Sequence, residues 1–382
     1  MKKIAILGAT GSIGTQAADV CRKMGYEITA ITANTDVDKI EALAREFKVK
    51  IAAMYDEDSA KLLKTKLKDT DVKVLTGVEG LCAAAADTDA EIVLTAVVGV
   101  VGLIPTIAAI KAGKNIALAN KETMVSGGEL INKLIKEYNV KILPVDSEHG
   151  AIFQCLQAGK EVKSLIITAS GGPFFGYTYD DLKSVTKDQA LKHPNWNMGA
   201  KITIDSATMM NKGLEFIEAV RLFNVAPENV QILVHRESIV HSMVEFADNS
   251  VIAQLACPDM RLPIQYAFTY PERKDAVINR LDLAKIGKLT FFEPDYDVFK
   301  PINVCKKAVS SGGSITASVN AANEEAVGMF LNDKIKFYEI GEILERVLED
   351  IKTVHNPSLD DILSADKYAR EYVRRIALGD IR

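Results

Sequence analysis

The run KIAILGATGSIGTQAADV, from Lys3 to Val20, restricts the chain more than any other stretch. An apolar strand meets glycines at 8, 11 and 14, and a helix-like segment follows. A strand that turns on glycines into a helix is the opening of a βαβ unit, and such units build parallel sheets. The glycines allow a tight turn, close approach of the backbone to a ligand and close helix packing, while free N–H groups at the helix start suit a pyrophosphate. The spacing here is GxxGxxG rather than GxGxxG.

The rest of the first 150 residues keeps this rhythm. Apolar strands are expected at about 3–8, 27–32, 92–98, 115–119 and 140–145, with further candidates at 50–55 and 72–75. Helical segments such as GGELINKLIKEY lie between them. The charge-free run Ile92–Ile110 reaches membrane length, but Gly99, Gly102 and Pro105 interrupt it, so a buried strand, turn and helix are expected instead. The basic MKK start is followed by an apolar run that breaks at glycines, unlike a secretory leader.

At 382 residues two or three domains are expected. After Gly150, SLIITAS, NVQILVH and SIVHSMVEFADNSVIAQL read as strands, the last a hairpin turning at Ala247–Ser250. From Ile302 onward the pattern is helical. The expected class is α/β: an N-terminal Rossmann-like parallel sheet, a central α+β catalytic domain and a C-terminal helical bundle. The expected boundaries are 1–146 for dinucleotide binding, 147–270 for catalysis, metal and dimerisation, 271–300 for a linker, and 301–382 for the helical domain.

A net charge of −5 without a basic stripe argues against nucleic acid as the main partner. Five scattered cysteines without a CxxC pair point to a reducing, cytoplasmic setting.

Several motifs fall at the carboxyl ends of expected parallel strands, where open α/β sheets bind ligands. The second strand ends Thr32-Ala33-Asn34 with no carboxylate to hold a ribose hydroxyl, which favours NADP. The cationic partner for a 2′-phosphate is weakly represented, since Lys39 is the nearest candidate. In ANKET, Lys121 is either a solvated lysine at a helix start or a functional cation. In PVDSEHG, Asp146 and Glu148 flank Ser147; the alternatives are a solvated turn with Ser147 as helix cap, or a metal site with His149 nearby.

DSATMMNKGLEFIEAVRLF reads as one helix from Asp205, with Ser206 as its cap. Asn211, Lys212 and Glu215 then share a face. Either they form a surface pair, or Glu215 joins Asp146 and Glu148 in an all-oxygen set suited to Mg²⁺ or Mn²⁺. HPNWNMG, with the sole tryptophan, is either a lid or a packed anchor.

GATGSIG, ANKE, PVDSEH, ASGGPF, HPNWNMGAKITIDSATMMNKGLE and SMVEFADNSVIAQLACPDMR follow one another in order. Together they resemble the 1-deoxy-D-xylulose 5-phosphate reductoisomerase family over nearly the whole length. The resemblance implies metal-dependent rearrangement of that sugar phosphate and NADPH-dependent reduction to 2-C-methyl-D-erythritol 4-phosphate, in isoprenoid precursor synthesis, by a homodimer.

The resemblance also implies metal ligands at Asp146, Glu148 and Glu215, and catalytic roles for Lys121, Glu148 and His193. Substrate contacts are implied at Lys121, Ser147, Glu148, Ser170, His193, Trp196, Ser206, Asn211, Lys212 and Glu215, with the phosphate held by Ser170, Ser206, Asn211 and Lys212. Thr10, Gly11, Ser12, Ile13, Ala33, Asn34, Asn120, Glu122 and Gly199 correspond to cofactor positions, and Trp196 and Met198 to a lid. Asn34-Thr35-Asp36 departs from the Gly-Lys-Asn of some members, which implies a narrower preference for NADPH over NADH.

Overall fold

A computed structural model describes residues 1–193 and 198–379. The chain forms two compact units: residues 1–123, 131–150 and 259–279 make the first, and residues 124–130, 151–258 and 280–382 the second.

The first unit is built on a seven-stranded sheet. Its strands are β1 (Lys3–Leu7), β2 (Glu27–Ala33), β3 (Ile51–Met54), β4 (Lys73–Thr76), β5 (Ile92–Thr95), β6 (Asn115–Leu118) and β7 (Ile142–Pro144). The order is β4-β3-β2-β1-β5-β6-β7 and every pairing is parallel. All seven expected strands are present. Ile4, Ala5, Ile6, Val93, Leu94, Ile116 and Ala117 are fully buried, as in a sheet covered on both faces. The chain runs outward from β1 to β4 and then crosses back to β5, so the order reverses between β1 and β5. That switch opens the crevice where such sheets take ligands.

Two strands are clearly shorter than expected, β7 covering Ile142–Pro144 rather than 140–145, and β5. β5 stops at Thr95 rather than 98, and the chain goes on to a short helical turn at Val100–Gly102 and a helix at Leu103–Lys111. Gly99, at φ 77°, turns the chain in a way that a strand cannot follow. Among the described residues no helix is long and apolar enough to cross a membrane.

The second unit holds a mixed four-stranded sheet, ordered β11-β10-β8-β9: β8 (Val162–Ala169), β9 (Val230–Val234), β10 (Val240–Phe246) and β11 (Val251–Leu255). β8 and β9 are parallel, whereas β10 is antiparallel to both β8 and β11, so the expected hairpin is present. Helices Lys300–Ser311, Ile315–Leu331, Phe337–Asp350 and Leu359–Ala377 supply the helical C-terminal part. Their apolar faces share a core with β8 and β9 through Val319, Phe330, Leu344 and Ile167.

The segment from Asp205 departs from its reading. It is two helices, Ala200–Ala207 and Met210–Phe223, broken at Met209, which adopts φ 60°. Ser206 therefore lies inside the first helix and caps nothing. Asp205 is buried between Lys201 Nζ at 2.9 Å and Asn323 Nδ2 at 2.7 Å.

Candidate active site

The glycine turn leaves β1 at the switch point. Gly8 has φ 86°, and a Cβ there would sit 2.6 Å from the carbonyl oxygen of Ala96 beyond β5. A Cβ on Gly14 would meet the Gly8 oxygen at 2.2 Å. A Cβ on Gly11 would instead make an ordinary contact with the Gly8 oxygen at 3.5 Å. The Gly8 N–H donates to Thr32 Oγ1 at 3.0 Å, tying the turn to β2. Helix Ser12–Met24 starts here without an acidic residue in its first turn, so the positive end of its dipole is not neutralised locally. Thr10 and Ile13 are partly exposed, and Gly11 and Ser12 are exposed.

At the neighbouring strand ends, Ala33 is buried and Asn34 exposed. Asp36 caps the next helix and pairs with Lys39 at 3.0 Å. That lysine is thus paired on the surface, where such a pair is worth at most about 1 kcal/mol.

Asn120 follows β6 and is buried. Its side-chain oxygen accepts from the Thr123 N–H and hydroxyl, each at 2.7 Å, capping helix Lys121–Glu137. Its amide nitrogen donates to the Val97 and Gly99 carbonyls. The side chain thereby joins the loop after β5 to the helix start, and the Asn120 N–H donates to the Thr95 carbonyl at 2.8 Å. Glu122 is buried in the same turn.

Lys121 is no solvated lysine. It is buried, and its ammonium lies 2.6 Å from Asp146 Oδ2. Asp146 ends the β7 segment; its Oδ1 accepts from the Ser147 N–H at 2.9 Å and its carbonyl from Gly150 at 2.8 Å. The acid, not Ser147, therefore stands before helix Ser147–Cys155, where the helix dipole favours negative charge. Ser147 donates to Glu148 Oε2 at 2.5 Å. His149 is fully buried with Nδ1 3.9 Å from Asp146.

The second unit gathers a second set. β8 delivers Ser170, whose Oγ lies 3.0 Å from His193 Nε2. Gly171 and Gly172 follow at φ 77° and 63°, and a Cβ on Gly172 would meet the Ser206 carbonyl oxygen at 2.6 Å. Gly172 thus packs against the Ser206 backbone at a place that only glycine fits. Burial, and then the Arg236 charge, push the His193 imidazole down to about 4, so it is neutral near pH 7.

After the Met209 break, Asn211 Nδ2 reaches Glu215 Oε1 at 2.5 Å and Lys212 pairs with Glu215 Oε2. Lys212 and Glu215 are buried, so the reading of a surface pair does not hold. Gly199 is exposed at the start of helix Ala200–Ala207, and Met198 is partly exposed. Trp196 lies outside the described residues.

One residue at this turn escaped the sequence reading. Arg236 follows β9 and donates to the carbonyls of Ser170 and Gly172. Its only sequence signal is a cation at a strand end.

Cys155 and Cys21 are unsuited as nucleophiles. Burial pushes the Cys155 thiol up to about 11 and that of Cys21 up to about 12. A dehydrogenase that works through Cys155 as nucleophile, which needs a lowered thiol pKa, is disfavoured.

A parallel sheet with a glycine turn at its switch point, beside ionic side chains at further strand ends, defines a nucleotide-dependent oxidoreductase of Rossmann type. Family models narrow the class. The model described as 1-deoxy-D-xylulose 5-phosphate reductoisomerase matches residues 4–128, its C-terminal domain 142–223, and the DXP reductoisomerase C-terminal domain 255–372. A relative of that name from Agathobacter rectalis is 52% identical over 98% of this chain and 100% of its own length. One from Caldanaerobacter subterraneus is 51% identical over 98% and 99%.

Among solved structures, the Zymomonas mobilis enzyme in complex with NADPH has TM-score 0.93 at 40% identity, covering 98% of this chain and 99% of that one. A DOX-P reductoisomerase in complex with NADPH, fosmidomycin and magnesium has TM-score 0.93 at 39% identity, covering 99% and 98%. The chain belongs to the 1-deoxy-D-xylulose 5-phosphate reductoisomerase family.

Proposed function

We propose that the protein rearranges 1-deoxy-D-xylulose 5-phosphate and reduces the product to 2-C-methyl-D-erythritol 4-phosphate, using NADPH and a divalent metal, Mg²⁺ or Mn²⁺. Family membership over nearly the whole chain carries this reading. NADPH and magnesium in the solved relatives support the cofactors.

The dinucleotide is assigned to Thr10, Gly11, Ser12, Ile13, Ala33, Asn34, Asn120, Glu122 and Gly199. Its contribution is the hydride. Support comes from the exposed Gly11 and the unneutralised helix start. The metal is assigned to Asp146, Glu148 and Glu215. Their chemistry fits, since all donors are carboxylate oxygens and the Lys121 and Lys212 ammonium groups already hold cationic charge against two of them. When bound, such an ion polarises carbonyl and hydroxyl oxygens as a Lewis acid.

Ser170, Ser206, Asn211 and Lys212 are assigned to the phosphate. His193 orients the Ser170 hydroxyl, and its neutral ring can serve as acceptor or donor. Ser147, Glu148 and Lys121 serve the ketose end, where Lys121 can hold or give a proton as oxygen charge develops. Trp196 and Met198 are assigned to the cover over the substrate. The protein is assigned to the cytoplasm, consistent with five free cysteines, and to a homodimer.

The test is NADPH consumption with the sugar phosphate. Turnover should vanish in excess EDTA and return with Mg²⁺ or Mn²⁺; full activity in EDTA would refute the metal assignment. Glu215→Gln removes one formal charge and should weaken Mg²⁺ binding by about tenfold or more, consistent with the worth of a charge-assisted contact. Unchanged affinity by titration would remove Glu215 from the ligand set.

A further inference from the structure

Ser170-Gly171-Gly172 is an unusual turn to hold still. Two consecutive positive-φ glycines have wide conformational freedom, and freezing them costs entropy. Something must fix the turn if Ser170 is to meet an anion at a set position. Arg236 does so from the end of β9. One guanidinium nitrogen, Nη1, donates to the Ser170 carbonyl at 2.5 Å and to the Gly172 carbonyl at 2.8 Å. The guanidinium also lies over the Phe175 ring, 5.2 Å from its centre, on the same loop.

We infer that Arg236 is a positioning residue of the phosphate pocket, clamping the 170–172 turn so that its donors face a bound phosphate. The geometry follows from peptide planarity. With the Ser170 carbonyl drawn to Arg236, the Gly171 N–H of the same trans peptide points the opposite way. The Gly172 N–H is turned to Ser170 Oγ at 3.2 Å, and that oxygen lies 3.0 Å from His193 Nε2. A hydroxyl that accepts from an amide on one side is left to donate its proton to His193 or to phosphate. The clamp orders these groups before the ligand arrives, which lowers the cost of binding. Arg236 also brings a partly buried positive charge close to the expected dianion without needing to touch it. In the same way its charge helps keep His193 neutral.

The inference rests on the reading of Ser170 and Ser206 as phosphate ligands, so it is tested on phosphate binding as well as turnover. Inorganic phosphate is titrated by calorimetry into the full chain, and KM and kcat are measured with the sugar phosphate. Arg236→Met should weaken phosphate binding and raise KM by roughly ten- to a hundredfold, with kcat within about threefold, since ground-state and transition-state contacts to the phosphate are lost equally. Arg236→Lys keeps the charge and loses the flat face on Phe175, so it should lie between, at about threefold or more.

A folded Arg236→Met with parental phosphate affinity and KM would overturn the inference, whatever its melting temperature; so would a fall in kcat alone. If Arg236→Met is not recovered folded, Arg236→Lys decides, and unchanged phosphate affinity in it overturns the inference. Absence of turnover in the parent would refute the proposed function instead, while phosphate affinity would still judge the clamp.

Discussion

Close neighbours set the ionisable groups of the site. Lys121 and Asp146 pair at low exposure, as do Lys212 and Glu215. In such pairs each partner offsets part of the other's lost hydration. His193 is the opposite case, a ring held neutral by burial and by the nearby Arg236 charge. A histidine with a lowered folded-state value takes up its proton later than the unfolded chain does. Between about pH 6.5 and 4 the unfolded state therefore binds more protons, and stability should fall as pH falls through that window. Above it His193 contributes no slope. Melting temperatures from pH 7 to 4.5 should decline less steeply in His193→Gln than in the parent. Equal slopes would mean that His193 titrates as an ordinary solvated ring.

Among the elements, the glycine turn separates folding from binding within seven residues. Gly14 is filled by the Gly8 oxygen at 2.2 Å, which is backbone and cannot swing aside. Gly14→Ala should force the helix off β1 and lower stability by about 2 kcal/mol or more, in the range of a strained, overpacked site. Gly11 has room for a methyl group, so Gly11→Ala should fold with nearly parental stability and still bind NADPH more weakly, because the approach of the pyrophosphate to the backbone is blocked. Parental NADPH affinity in Gly11→Ala would remove the close approach from the account. This turn was legible in the sequence because glycine spacing and an apolar strand are both local signals. The break at Met209 was not, since methionine carries no preference for φ 60°. The Arg236 clamp was hidden too, as its carbonyl partners lie 66 and 64 residues away.

For the whole molecule, composition and alternation were enough for the fold class, because strands such as IAIL and IVLT are apolar runs that only a doubly covered sheet can hide. Long-range return was not legible. Residues 259–279 rejoin the first unit, where Arg261 pairs with Asp19 and the Phe268 carbonyl accepts from Lys2. Contacts across some 240 residues leave no periodic trace. The homodimer is the remaining question at this scale. β11 is one edge of the second unit's sheet, and its Val251 and Ile252 are 48% and 39% exposed. An edge strand with bare apolar side chains invites pairing or coverage unless charge or proline protects it. A two-fold partner would cover this strand with its own copy, and a stable contact should bury at least about 1,000 Å². The parent should sediment as a dimer at micromolar concentration. Ile252→Glu puts a charge into that contact, and should shift the population towards monomer while leaving the far-ultraviolet circular dichroism unchanged. A parent that sediments as a monomer would reject the dimer. A dimer unaffected by Ile252→Glu would place the contact elsewhere than on β11.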